Sequence, residues 1–174
     1  MRSETGDPAR RKVDGTFRLV DHHGATVSNR TFDGKLLLVL FGFTNCRAVC
    51  PRKLAETEAV LDRLSELADR VQPLYITVDP ERDTPDVMRA FLEAHPRFIG
   101  LTGDRAQIDE VKLRFRVFAR RVEDGSDPGN YNVPHTAVTY LMDADGGYRA
   151  HFLDGTDAEQ MASRIQKLLA KRSD

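Results

Sequence analysis

An α/β domain with a mixed central sheet flanked by helices is predicted by three features of this 174-residue chain. Residues 36–41 (Leu-Leu-Leu-Val-Leu-Phe) are apolar at every position, as a central strand covered on both faces must be. Strand-like and helix-like segments then alternate over residues 36–41, 51–69, 74–78 and 83–94, which is a βαβα order. Two further strand-like segments joined through Asp145-Gly146-Gly147, and an amphipathic last segment, read as an antiparallel hairpin and a closing helix.

Taken in order, residues 17–20 and 25–27 flank Asp21-His22-His23-Gly24 as a short hairpin turning at the glycine, so His22 and His23 read as turn residues rather than ligands. Over 51–69, Leu54, Val60, Leu61, Leu64, Leu67 and Ala68 hold helical spacing while charged residues fill the opposite face. Residues 74–78 form the next strand, and Asp83-Thr84-Pro85 supplies a cap and a proline at the first helical position, opening a helix to about residue 94. A short strand over 97–101 precedes a helix over 106–115 carrying Ile108, Val111, Leu113 and Phe115. Residues 123–132 gather Gly, Ser, Asp, Pro and Asn and read as a mobile loop inserted before the strand 136–142. Residues 148–153 pair with that strand, and Ala158, Met161, Ala162, Ile165, Leu168 and Leu169 make one stripe of the last helix. This succession is the order of a thioredoxin-like fold. Residues 1–14 read as a disordered tail and 15–174 as a single domain.

Composition narrows the function. Lys and Arg number 26 against 27 Asp and Glu, interspersed, for a formal net charge of −1, which argues against a nucleic-acid footprint. The longest apolar stretch, 36–43, is far short of the ~20 residues needed to span a bilayer. Arg10-Arg11 is followed by Lys12, Val13, Asp14 and Gly15 where an export signal would turn apolar, so it reads as a solvated basic tail. Asp143-Ala144-Asp145-Gly146 begins like a calcium loop, but Tyr148 and Asp154 stand where glycine and glutamate belong, so it reads as a hairpin turn. Met142 and Met161 read as core residues rather than soft ligands.

The chain's only cysteines, Cys46 and Cys50, stand four positions apart where the central strand gives way to a helix. If that helix begins near Cys46, both sulfurs share one face, separated by ~6 Å of axial rise. The helix N-terminus and Arg47 would then lower the thiol pKa below ~8.5. A thiolate is both nucleophile and metal ligand, so two chemistries stay open: holding a soft metal, or opening and closing a disulfide. Thioredoxin-type oxidoreductases use Cys-x-x-Cys, and helical residues four apart lie near the upper end of the ~4.4 to 6.8 Å Cα range that a disulfide tolerates. Zn²⁺ wants four ligands, whereas Cu(I) accepts fewer and softer ones, such as two sulfurs and an imidazole.

Five histidines could supply that imidazole. His22 and His23 lie in the early turn, His95 ends a helix before Pro96, and His151 sits inside a strand. His135 opens a strand just after the loop, in Val133-Pro134-His135-Thr136, where a thioredoxin-like fold brings the chain beside the cysteine-bearing helix terminus. A peroxiredoxin site would need proline and threonine at Val39 and Phe43, and a glutathione-peroxidase site a tryptophan, which the chain lacks.

Three segments, Phe41-Gly42-Phe43-Thr44-Asn45-Cys46-Arg47-Ala48-Val49-Cys50-Pro51, Val78-Asp79-Pro80-Glu81-Arg82-Asp83-Thr84-Pro85, and Val133-Pro134-His135-Thr136 with Tyr140-Leu141-Met142-Asp143, resemble the Sco/SenC family from about Gly15 to the C-terminus. The resemblance implies a thioredoxin-fold copper chaperone that helps assemble the dinuclear copper centre of cytochrome c oxidase, with Cys46, Cys50 and His135 as ligands of Cu(I) or Cu(II). It implies a copper-receiving partner such as cytochrome c oxidase subunit II, a copper donor, and a periplasmic or membrane-facing setting. The chain shows neither signal nor anchor, which leaves a cytoplasmic one open. The family usually has proline where this chain has Arg47, and most members carry a membrane anchor. The resemblance equally allows a thiol:disulfide oxidoreductase in which Cys46 and Cys50 are catalytic and reduce the cysteines of a copper-receiving partner.

Overall fold

The computed structural model of the protein describes residues 13–46, 49–127 and 129–172. Its spine is β3 (Leu36–Gly42), buried along its whole length. The two-residue repeat of a strand splits this apolar run between two cores. Leu36, Leu38 and Leu40 pack with α1 (Val49–Leu64) and α4 (Ala158–Arg172) through Leu54, Leu61 and Ile165. Leu37, Val39 and Phe41 pack on the other face with Ile108, Val111 and Phe115 of α3 (Arg105–Phe115).

β3 pairs in parallel with β4 (Val71–Thr77), and β4 in parallel with β5 (Ile99–Thr102). On its other edge β3 runs antiparallel to β8 (Val138–Asp143), which forms a hairpin with β9 (Tyr148–Leu153). The N-terminal hairpin of β1 (Arg18–Asp21) and β2 (Thr26–Ser28) extends the sheet beside β5, so the strand order is β2-β1-β5-β4-β3-β8-β9. This is the thioredoxin-like arrangement, a mixed sheet with helices on both faces. Among the described residues no helix is long and apolar enough to cross a membrane.

Local chemistry sets the element ends. The side chain of Thr84 accepts from the Val87 N–H to cap α2 (Pro85–Phe91), with Pro85 at the first helical position. Asp104 and Gln107 form a reciprocal capping box at the start of α3. The helix expected over 51–69 ends earlier, at Leu64, because Ser65 adopts a left-handed φ of 53° that an α-helix cannot pass through; residues Ser65–Arg70 continue as a 3-10 turn. Leu113, grouped with the apolar face of α3, is 79% exposed.

The segment expected as a mobile loop is anchored at both ends. β6 (Val122–Glu123) and β7 (Tyr131–Asn132) pair as a separate two-stranded ribbon. Its anchor is Tyr131, buried under contacts from distant residues that the turn-rich composition conceals. The strand expected from residue 136 begins at Val138, and His135 instead forms an isolated bridge with Ala119. Val13 packs against the core and the Asp14 N–H donates to the Arg114 carbonyl at 3.0 Å, so the domain is under way by residue 13. The expected tail over 1–12, with Arg10 and Arg11, lies outside the described residues, as does Arg47.

Candidate metal centre

Beyond Gly42 the chain leaves the sheet through Phe43-Thr44-Asn45 and turns at Cys46, whose N–H donates to the Phe43 carbonyl at 3.2 Å. Asp83, with no solvent exposure, holds this turn from below. Its carboxylate accepts from the Thr44 N–H at 3.0 Å, the Thr44 hydroxyl at 2.5 Å and the Thr77 hydroxyl at 2.7 Å. Burial pushes the Asp83 carboxyl above the usual range, and these donors pull it back only in part. Asp83, just before the α2 cap, thus acts inward as a brace for the cysteine loop.

The two thiols differ. α1 is described from Val49, so Cys46 precedes it while Cys50 lies in its first turn, and the pair does not share a helical face. Cys46 is half-buried and Cys50 is 2% exposed, and the two are not joined in a disulfide. The expectation of a lowered pKa fails for Cys50. Burial dominates and, with the neighbouring Cys46 sulfur adding to it, raises this thiol to about 11, against the opposing pull of the Tyr75 hydroxyl and the Phe43 backbone. Cys50 is therefore protonated at neutral pH in the dithiol protein. Iodoacetamide at pH 8 is expected to modify Cys46 at least about tenfold faster than Cys50, read by peptide mass spectrometry; equal rates would contradict the asymmetry.

Gly42 makes this packing possible. A Cβ there would stand 2.2 Å from the Tyr75 hydroxyl oxygen and 2.9 Å from Cys50 Sγ. Both groups occupy the space that any other residue would fill.

His135 arrives from the opposite side. Its ring meets the Phe43 ring edge-on at 5.9 Å, its Nδ1 lies 3.0 Å from the Val133 carbonyl oxygen, and its Nε2 lies 2.9 Å from the Phe41 carbonyl oxygen at the end of β3. A neutral imidazole carries one N–H, so only one carbonyl can accept from it in that form. If Nδ1–H donates to Val133, the lone pair sits on Nε2, the nitrogen nearer β3. Cys50 and His135 line one crevice of about 20 Å³ with Tyr75 and Phe41, room for about one water-sized occupant. Among the described residues no three His, Cys, Asp or Glu side chains stand at metal-binding spacing, and the His135 Nε2 faces the Phe41 carbonyl.

Cys46 opens instead on a broad groove of about 820 Å³ whose far wall is the β6–β7 ribbon, including Glu123, Asp124 and Asp127. The ribbon is pinned by Tyr131, whose hydroxyl donates to Asp79 at 2.7 Å. The guanidinium carbons of Arg82 and Arg121 lie 3.6 and 3.8 Å from the Tyr131 ring centroid, which two cations can do only from opposite faces. Arg82 also donates to Asp79 at 2.5 Å and to Asn130 at 3.0 Å, and Asn130 accepts from Asn45 beside Cys46 at 3.2 Å. The sequence reading missed Gly42, Tyr75 and Tyr131. The only available signals were a glycine ending an apolar run and a tyrosine inside a strand with no other polar side chain between Pro73 and Ile76.

Residues 5–170 match the SCO1/SenC family. A SCO2-like protein of Rickettsia conorii is 40% identical over 152 residues, covering 86% of this chain and 74% of that protein. The solved structure of Bradyrhizobium japonicum ScoI with copper bound superposes with a TM-score of 0.81 at 38% identity, covering 90% of this chain and 99% of that one. BsSco, described as a member of the Sco family of cytochrome c oxidase assembly proteins and as carrying a disulfide switch, superposes with a TM-score of 0.68 at 26% identity, covering 92% and 95%. The cysteine pair at the strand-to-helix junction, the buried Asp83 that braces it and the histidine beyond the ribbon thus stand in a chain that belongs to the SCO1/SenC family.

Proposed function

We propose that this protein binds one copper ion through Cys46, Cys50 and His135 and passes it to a cuproprotein such as cytochrome c oxidase subunit II. The observation that carries this reading is that Cys50 and His135, remote in sequence, line the same small crevice at the end of β3. Two sulfurs and an imidazole are a soft donor set suited to Cu(I). The copper-bound ScoI structure and the oxidase-assembly role stated for BsSco support the cargo and the destination.

Binding asks two things of these residues. Cys50 must lose its proton, so uptake releases at least one proton at neutral pH. The His135 ring must turn its Nε2 away from Phe41, while Nδ1–H stays on the Val133 carbonyl and keeps the ring in the ligating tautomer. Cys46, at the edge of the open groove, is the ligand a partner can reach. An acceptor on an oxidase puts the work at a membrane face, in a periplasmic or equivalent compartment, with a copper donor upstream.

The test is an anaerobic Cu(I) titration against a chromophoric competitor. Wild type should take one equivalent. His135→Ala should weaken binding by at least the roughly 10 to 100-fold that loss of even an outer-shell partner costs, with an unchanged melting temperature. Unaltered affinity would remove His135 from the site.

The inequality of the thiols favours a second reading, a thiol:disulfide oxidoreductase acting on the acceptor's cysteines. The accessible Cys46 thiolate would attack a partner disulfide, forming a mixed disulfide and releasing one partner thiolate. Cys50 would then attack the Cys46 sulfur and release the second, so the partner gains the two electrons this pair loses. A redox titration of the pair against glutathione, with the rate on a disulfide substrate, separates the two readings.

A further inference from the structure

Tyr75 lies on β4 opposite Leu40, with its ring 5.5 Å from Phe91 and only 1% of the residue exposed. Among the described residues its hydroxyl has no hydrogen-bond partner of ordinary geometry. A buried hydroxyl left in that state is destabilising relative to a phenyl ring of the same shape. The hydroxyl nevertheless points at the cysteine junction. It and Cys50 Sγ crowd the same point beside Gly42, 2.2 and 2.9 Å from where a Cβ would be, and both line the crevice shared with His135. Its proximity also draws the Cys50 thiol downward against burial.

Resting on the copper reading above, we propose that the Tyr75 hydroxyl is a positioned donor for the Cys50 sulfur when that sulfur carries charge on the metal. In the dithiol protein a neutral thiol is a weak acceptor and the hydroxyl goes unsatisfied. Once Cys50 has lost its proton, the sulfur becomes a charged acceptor and the same O–H satisfies it, so the cost carried by the empty state is recovered in the loaded one. The largely apolar surroundings strengthen the bond, because the effective dielectric there is low. The donor serves one sulfur only. Cys46 faces the open groove, so Tyr75 makes the two thiolates unequal, Cys50 the held ligand and Cys46 the more electron-rich one presented to a partner.

Tyr75→Phe removes one oxygen and keeps the ring. In the full chain this variant should fold with an unchanged far-ultraviolet spectrum and a metal-free melting temperature equal to or above that of wild type. It should bind Cu(I) about 3 to 30-fold more weakly in the competitor titration. With Cu(II) as a spectroscopic probe, its sulfur-to-copper charge-transfer band should move to lower energy, because a thiolate relieved of its donor gives up electron density more readily. A structural role alone would leave the band in place. If wild type binds one copper while Tyr75→Phe matches it within twofold and shows the same band, the hydroxyl is not a ligand donor and this inference falls alone. If wild type takes no copper, this inference and the copper reading fall together.

Discussion

Changing Cys46 to serine is expected to cost on the order of a thousandfold in Cu(I) affinity while leaving the melting temperature of the metal-free protein nearly unchanged. A hydroxyl oxygen is a hard, neutral donor where a thiolate is soft and charged, so the loss is electronic rather than steric. Cys46 is half-buried and sits in a turn whose backbone is held by Phe43 and Thr44, so an isosteric oxygen leaves the packing intact. Cys50→Ser should lose as much affinity but also some stability, since its side chain is buried among Leu54, Tyr75 and Leu40. Competitor titration with thermal denaturation of both variants separates ligation from folding. A Cys46→Ser protein that retained wild-type affinity would place the metal elsewhere.

Asp83→Ala is expected to produce the largest loss of stability, about 3 to 5 kcal/mol by urea denaturation. The cost is not the carboxylate itself but what its removal leaves behind: the Thr44 N–H, the Thr44 hydroxyl and the Thr77 hydroxyl lose their acceptor within the fold. Thr44 precedes Cys46 by two residues, so copper affinity should fall with stability even though Asp83 is not a ligand. The pH dependence has a definite sign. Burial raises the folded-state pKa of Asp83 above its unfolded value, so its titration contributes stability fully below the unfolded pKa, and this is lost as pH rises through the folded pKa. The gap between wild type and Asp83→Ala should therefore be wider at pH 4 than at pH 7. A gap below 1 kcal/mol at both would show that the loop does not depend on this carboxylate.

Some parts of this molecule were readable from local pattern and others were not. Residues 36–41 could be assigned as a doubly covered strand because burial on both faces demands an unbroken apolar run. The cap at Thr84 is likewise local chemistry. The pairing that closes the 123–132 loop was not legible because it comes from Asp79, Arg82 and Arg121 holding one tyrosine, contacts between residues far apart in the chain. The thiol pKa was misjudged for the same reason. A helix start is visible in sequence, whereas the burial that overrides it at Cys50 is supplied by β3, β4 and α1 together.

The sequence by itself determined the sheet-and-helix order and the spacing of Cys46 and Cys50, because periodicity and capping are properties of neighbouring residues. Only the tertiary structure decided that Asp83 braces the cysteine loop, that Gly42 makes room for Tyr75 beside Cys50, and that His135 rests on the Phe41 carbonyl. Those outcomes depend on which side chains the collapsed chain removes from water at one point, and burial of that kind is a property of the assembled sheet rather than of any segment within it.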